Sequence, residues 1–241
     1  MLKILLKALI ILMVLGGVYA CASKPKDKIA SIDEASGISY CKNSDTLLVV
    51  ADEGDIYEIK KGGKILSKHH LGDFDLEGVV CQENDAIVAV EDGKILQVDR
   101  KNFRFKKVKI SGKDFKLGKN SGIEGIAKID NNRFILTIQS KKKKGAKFLD
   151  LELKNGRAEV KNIIDSGIID SAGAEFSDGK LFVVSDKKDK LYIFDLKNKK
   201  ILKKIKLPKF AQEGVTFDDK NIYFADDDGG VFKYKKSKFL E

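Results

Sequence analysis

Of the four Glu-Gly pairs in the chain, three, Glu77-Gly78, Glu124-Gly125 and Glu213-Gly214, fall in segments that recur along it. Two residues upstream of that glutamate position lie Asp75 and, in matching segments elsewhere in the chain, Glu34 and Asp170. If the spacing returns these side chains to one place, six carboxylates share a small volume, and like charges at short range repel strongly. A hard cation removes that repulsion. Calcium takes six to eight oxygens from carboxylates, backbone carbonyls and water, and well-placed His or Cys that would favour zinc are missing. Calcium is therefore the implied cofactor, with Glu77, Glu124 and Glu213 as central ligands and Asp75, Glu34 and Asp170 as outer ones. The competing reading is that each acid accepts backbone N–H bonds where one repeat joins the next, and one residue can do both.

The segments that carry these acids come back five times, aligned on Gly37, Gly78, Gly125, Gly173 and Gly214 at intervals of 41, 47, 48 and 41 residues. A period in the forties with strand-like content is the mark of a propeller. Each repeat reads as four short strands joined by hairpin turns: in the first, Gly37–Tyr40, Thr46–Ala51, Ile56–Ile59 and Ile65–Lys68. The predicted fold is all-β, a five-bladed β-propeller of four-stranded antiparallel blades over residues 28–241, with blades starting near 34, 75, 122, 170 and 211. The last blade lacks an outer strand, which either the tail at 238–241 or the segment Lys28–Ile32 supplies. Inner strands of a propeller line the central channel. The residues before the five glycines, Ser36, Glu77, Glu124, Ala172 and Glu213, should therefore ring one mouth. Alternation along a strand would put the second set on the same side. Turns on that face add Asp52, Glu53, Glu91, Asp92, Asp186 and Asp226–Asp228, although Asp is an ordinary turn residue. Adjacent His69 and His70 face opposite ways on a strand and make a poor metal pair. The run Lys141–Lys144 reads as a solvated hairpin tip.

Residues 1–20 carry Lys3, an apolar run at 8–15 and small residues before Cys21, the pattern of a cleaved export signal too short to span a membrane. Val18, Ala20 and Cys21 resemble a bacterial lipobox. Cys21 is thus the candidate lipidation (acyl, palmitate-type) site, with residues 21–27 as a tether, and plain cleavage after Ala20 is the alternative. The expectation is a monomeric lipoprotein of the cell envelope, anchored to the outer (or plasma) membrane and facing the periplasm. Without Lys3 and Lys7 the formal charge falls from +10 to +8. Only Arg100, Arg104, Arg133 and Arg157 are arginines, and nucleic-acid reading leans on arginine, so nucleic acid is not an expected partner. Cys41 and Cys81 sit four and three residues after their repeat glycines, an offset that alternation turns to opposite faces. Two small apolar side chains are favoured over a disulfide.

The runs Glu34–Tyr40, Leu47–Ile59 and Leu71–Val79 resemble the SdiA-regulated (YjiK-like) family of membrane-associated β-propeller proteins. The likeness spans roughly 28–241. It implies a five-bladed propeller distantly related to NHL-repeat proteins and a calcium site general to the family, with no established catalysis. The chain departs from that pattern at Ala172 and at Gln139-Ser140, where other blades carry acids. These readings together predict a calcium-binding propeller acting as a non-enzymatic binding module, with no catalytic residue assigned and an envelope protein or small ligand as partner on the acidic face. The alternative is a calcium-dependent hydrolase or lyase using the same face.

Overall fold

Segments such as Leu47–Ala51 and Ala86–Val90 are apolar without alternation, as a strand covered on both faces requires. The computed structural model describes residues 27–112, 115–118 and 121–240. The expected export signal, the candidate lipidation residue Cys21 and the expected tether up to residue 26 lie outside the described residues. A short strand, β1 (Lys28–Ala30), comes first. Repeat one forms β2 (Ala35–Cys41), β3 (Thr46–Ala51), β4 (Asp55–Lys60) and β5 (Ile65–His70). Repeat two forms β6 (Leu76–Cys81), β7 (Asp85–Val90), β8 (Lys94–Asp99) and β9 (Phe105–Ser111). Repeat three forms β10 (Ile123–Lys128), β11 (Arg133–Ile138), β12 (Lys147–Lys154) and β13 (Arg157–Asp165). Repeat four forms β14 (Ala174–Ser177), β15 (Lys180–Ser185), β16 (Lys190–Asp195) and β17 (Lys200–Lys206). Repeat five forms β18 (Gln212–Phe217), β19 (Asn221–Asp226) and β20 (Gly230–Lys235), followed by a one-turn helix, α1 (Ser237–Leu240).

Within each repeat the strands pair antiparallel in chain order. Repeat five takes its outer strand from the N-terminal side: β1 pairs with β20, Lys28 opposite Phe232 and Ala30 opposite Val231. The tail instead packs Phe239 of α1 edge-on to Tyr234 and Phe224. The sheets differ from the expected set of five. Repeats one, four and five each give a four-stranded sheet, but repeats two and three share one of eight strands. The join is a parallel contact of two residue pairs, Ala158 with Ile110 and Glu159 with Ser111. The Ser111 hydroxyl adds a bond to the Ala158 carbonyl at 3.1 Å.

Among the described residues the core falls into five clusters, each between two neighbouring repeats. Leu47 and Val49 of β3 pack toward repeat five, whereas Leu48 and Val50 pack toward repeat two. Alternate residues thus serve different neighbours, which is why the strand is apolar throughout. The order of clusters returns from repeat five to repeat one, so the repeats close a ring.

The repeat glycines sit where the inner strands nearly touch. A Cβ on Gly37, Gly78, Gly125 or Gly173 would lie 2.6–2.9 Å from the next repeat's glycine Cα, and one on Gly214 would lie 2.9 Å from the Ile38 nitrogen. Any side chain there must push two backbones apart.

Cys41 and Cys81 are bridged, with Cα atoms 5.4 Å apart, contrary to the expectation of two free apolar side chains. Their offsets do put them on opposite faces of their own sheets. Neighbouring repeats, however, meet with opposite faces: Cys41 points forward to repeat two and Cys81 back to repeat one. The one-residue difference is what brings the sulfurs together.

Two outcomes are expected in urea denaturation. Gly125→Ala lowers stability by about 1–3 kcal/mol through overpacking, whereas Gly62→Ala, with open space around it, leaves it unchanged. Replacing Cys41 and Cys81 by serine costs about 4 kcal/mol by the loop-entropy relation for a separation of 40 residues.

Candidate metal centre

The glutamates reach the axis through a backbone irregularity. Pairing of β6 with β7 jumps from Leu76–Val90 to Gly78–Ala89, so Glu77 has no partner residue. The same jump leaves out Ser36 in β2, Glu124 in β10 and Glu213 in β18. Such bulges re-aim the extra side chain. In repeat four the corresponding residue is Ala172, whose N–H bonds the Val184 carbonyl at 3.0 Å.

Burial is the first cause of acidity loss at all three glutamates, and charge is the second. Burial, then Glu124, Asp52 and Glu213, push Glu77 up to about 10. Glu213 rises to about 9 through burial, then Glu124, Asp186 and Asp227. Glu124 rises to about 7 through burial, then Glu91 and Asp170, with Lys187 opposing. Lys187 is engaged elsewhere: its Nζ lies 3.1 Å from Asp170 Oδ1, and its backbone N–H donates to Asp170 Oδ2 at 3.0 Å.

The six candidate ligands do not behave alike. Glu77, Glu124 and Glu213 form one mutually repelling group, and buried Asp170 stands beside it, paired with Lys187. Glu34 and Asp75 are exposed. Glu34 joins a rim cluster, where Glu53 first, then burial and Asp227, raise its pKa. Of the second set, Glu34 and Asp170 adopt left-handed backbone, φ 51° and 54°, ahead of the strands, yet Asp170 still acts on Glu124 and Glu213, and Glu34 and Asp75 on Asp52. Only Gly and, less often, Asn or Asp tolerate that region readily. The turn acids are also part of the mouth. Burial, then Asp227, raise Asp52 to about 7, and its Oδ1 is buried without a hydrogen-bond partner.

Among the described residues, no three His, Cys, Asp or Glu side chains are placed to hold one ion together. The donor chemistry nevertheless suits a hard cation: buried, oxygen-only, mutually repelling, with one orphaned carboxylate oxygen. His69 stacks on Phe103 and His70 pairs with Asp55 at 3.1 Å, so neither joins the mouth. Arg100 and Arg133 are paired with Glu58 and Asp150.

A profile of the SdiA-regulated family matches residues 19–226. The chain belongs to the SdiA-regulated family. No curated protein matches this family member. Among solved structures it is similar to glutaminyl cyclase of Myxococcus xanthus, at TM-score 0.66 and 10% identity over 86% of this chain and 92% of that one. It is also similar to a streptogramin B lyase, at TM-score 0.51 and 15% identity over 85% of this chain and 70% of that one. At such identities the likeness shows the fold, an all-β, propeller-like architecture.

Lys187 lies with Asp186 and Lys188 in the turn after β15, whose counterparts hold Asp52 and Glu53, Glu91 and Asp92, and Asp227 and Asp228, and nothing in that acidic pattern marks it in the sequence. In this SdiA-regulated protein the raised acids make the stability of the metal-free form depend on pH in a definite direction. Folded pKa values above the unfolded ones mean that stability is full below about 4.5 and declines as pH rises toward 7–10. With EDTA present, the melting temperature should fall from pH 5 to pH 9, and Glu77→Gln should flatten that fall.

Proposed function

We propose that this SdiA-regulated protein is a lipid-anchored envelope protein whose propeller holds calcium at the acidic mouth and acts as a binding module rather than an enzyme. The finer architecture is five four-stranded blades, the eight-stranded sheet dividing at its two-pair parallel contact. The observation that carries the calcium reading is the group Glu77, Glu124 and Glu213. These are three carboxylates that burial and the charge of neighbouring acids hold well above the usual range. No ion pair neutralises any of the three among the described residues. Glu77, Glu124 and Glu213 would supply the inner oxygens and Asp52 and Asp170 outer ones, with the side chains turning toward a common point. Asp75 and Glu34, more exposed, would extend the field that attracts a cation. The residues around Val18–Cys21 support the acyl anchor at Cys21, which would set the disc at the membrane surface with the mouth free for an envelope protein or small ligand.

One observation favours a second reading. Glu124, at about 7, is matched to proton transfer at neutral pH. In a calcium-dependent hydrolase or lyase it would serve as the general base.

The calcium reading is tested by melting the purified protein after EDTA treatment and again with added calcium. A hundredfold excess over the dissociation constant should raise stability by about 2.7 kcal/mol, and the rise should vanish in Glu77→Gln and Glu124→Gln. No rise, with no metal in the purified protein, leaves these carboxylates as strand-joining acceptors. Turnover of model esters that Glu124→Gln abolishes would favour the enzyme.

A further inference from the structure

The other end of the same inner strands holds a second polar feature. Two residues beyond the repeat glycines stand Ser39, Val80, Ala127, Glu175 and Thr216, and Glu175 is the ionisable one. A cavity of about 210 Å³ opens there, lined by Ser39, Cys81, Lys128 and Glu175 among others. That is room for roughly seven waters at liquid volume, the scale of a small metabolite.

The polar groups around the cavity are fixed by neighbouring strands. Thr216 accepts the Tyr40 N–H at 3.0 Å and donates to Glu175 Oε2 at 2.8 Å. The Phe176 N–H reaches Glu175 Oε1 at 3.2 Å. Ser39 Oγ accepts the Cys81 N–H at 3.0 Å, and the disulfide pins the strands that carry both. Each Glu175 oxygen therefore keeps an unused lone pair, and the Ser39 hydroxyl keeps its proton to donate. Among the described residues neither Glu175 nor Lys128 has an ion-pair partner, although both line one cavity. Burial alone pushes Glu175 up to about 7, the mark of a carboxylate without a counter-cation.

We propose that this cavity is a binding site for a small zwitterion of the amino-acid class, its ammonium on Glu175 and its carboxylate toward Lys128 and the Ser39 hydroxyl. A carboxylate and an ammonium that share a cavity without pairing present complementary ends to such a molecule. The volume excludes large side chains. The site lies beyond the glycine contacts from the acidic mouth and is independent of any metal there.

The test is calorimetric titration of the purified protein in EDTA with four probes: L-alanine, ethylamine, propionate and L-tryptophan. L-Alanine should bind, ethylamine more weakly, and propionate and tryptophan not measurably. Glu175→Gln, which keeps the acceptor for Thr216, should weaken L-alanine at least tenfold. Lys128→Ala should remove the advantage of L-alanine over ethylamine while leaving the melting temperature unchanged. No heat with any probe overturns the site, as does undiminished L-alanine binding to Glu175→Gln. If Glu175→Gln fails to fold, unchanged selectivity in Lys128→Ala overturns the zwitterion assignment by itself.

Discussion

The contact on which the structure depends is backbone against backbone, at five glycines around one axis. Inner strands can approach this closely only where no Cβ intervenes, and each glycine lies against the next repeat's glycine or, at Gly214, against Ile38. A ring transmits any local expansion, because widening one contact must be absorbed by the other four or by opening the closure between β1 and β20. The five interrepeat cores then follow as the filling between faces whose spacing near the axis is already set.

The same contact creates the site. The residue before each glycine sits on the tightest circle of the molecule, and the bulge there takes it out of the strand's alternation. Glutamates in that position are forced into each other's field and away from water together. High pKa values at Glu77 and Glu213 are thus consequences of closure as much as of residue type. The ring is also lopsided. Repeat one contributes Ser36, repeat four contributes Ala172, and Lys187 faces Asp170 beside that gap. Any ligand at the mouth meets glutamates from repeats two, three and five, with Lys187 the cation beside Asp170 in repeat four.

The two ends of the axis differ in charge. At the mouth the turns carry the acids, and the Ser36 and Thr137 hydroxyls donate to the Leu76 and Ala172 carbonyls of the next repeats. At the far end, side-chain hydroxyls tie inner strands together, Thr216 to the Tyr40 amide and Ser39 to the Cys81 amide, and a disulfide adds a covalent tie between repeats one and two. Glu175 belongs to that second end. Its place at a fixed offset from Gly173 is readable in the residues, but the bonds from Thr216 and the Phe176 amide that hold it are not.

The repeat period, the five glycines, the strand runs and the three glutamates were legible in the residues, because each depends on local pattern: alternation, turn chemistry and a fixed interval. Either partner for β20 was equally compatible with that pattern, and only the folded chain chose Lys28–Ala30. The disulfide shows the limit most clearly. Residue counting placed Cys41 and Cys81 on opposite faces correctly, yet whether opposite faces diverge or meet depends on how one sheet stacks on the next. Likewise the left-handed backbone at Glu34 and Asp170 is set by the turn ahead of each strand and not by the interval between repeats. The sequence alone determined what recurs and which residue types ring the axis. The tertiary structure decided which of them share a desolvated volume, since proximity and burial arise only when distant strands are brought to one axis.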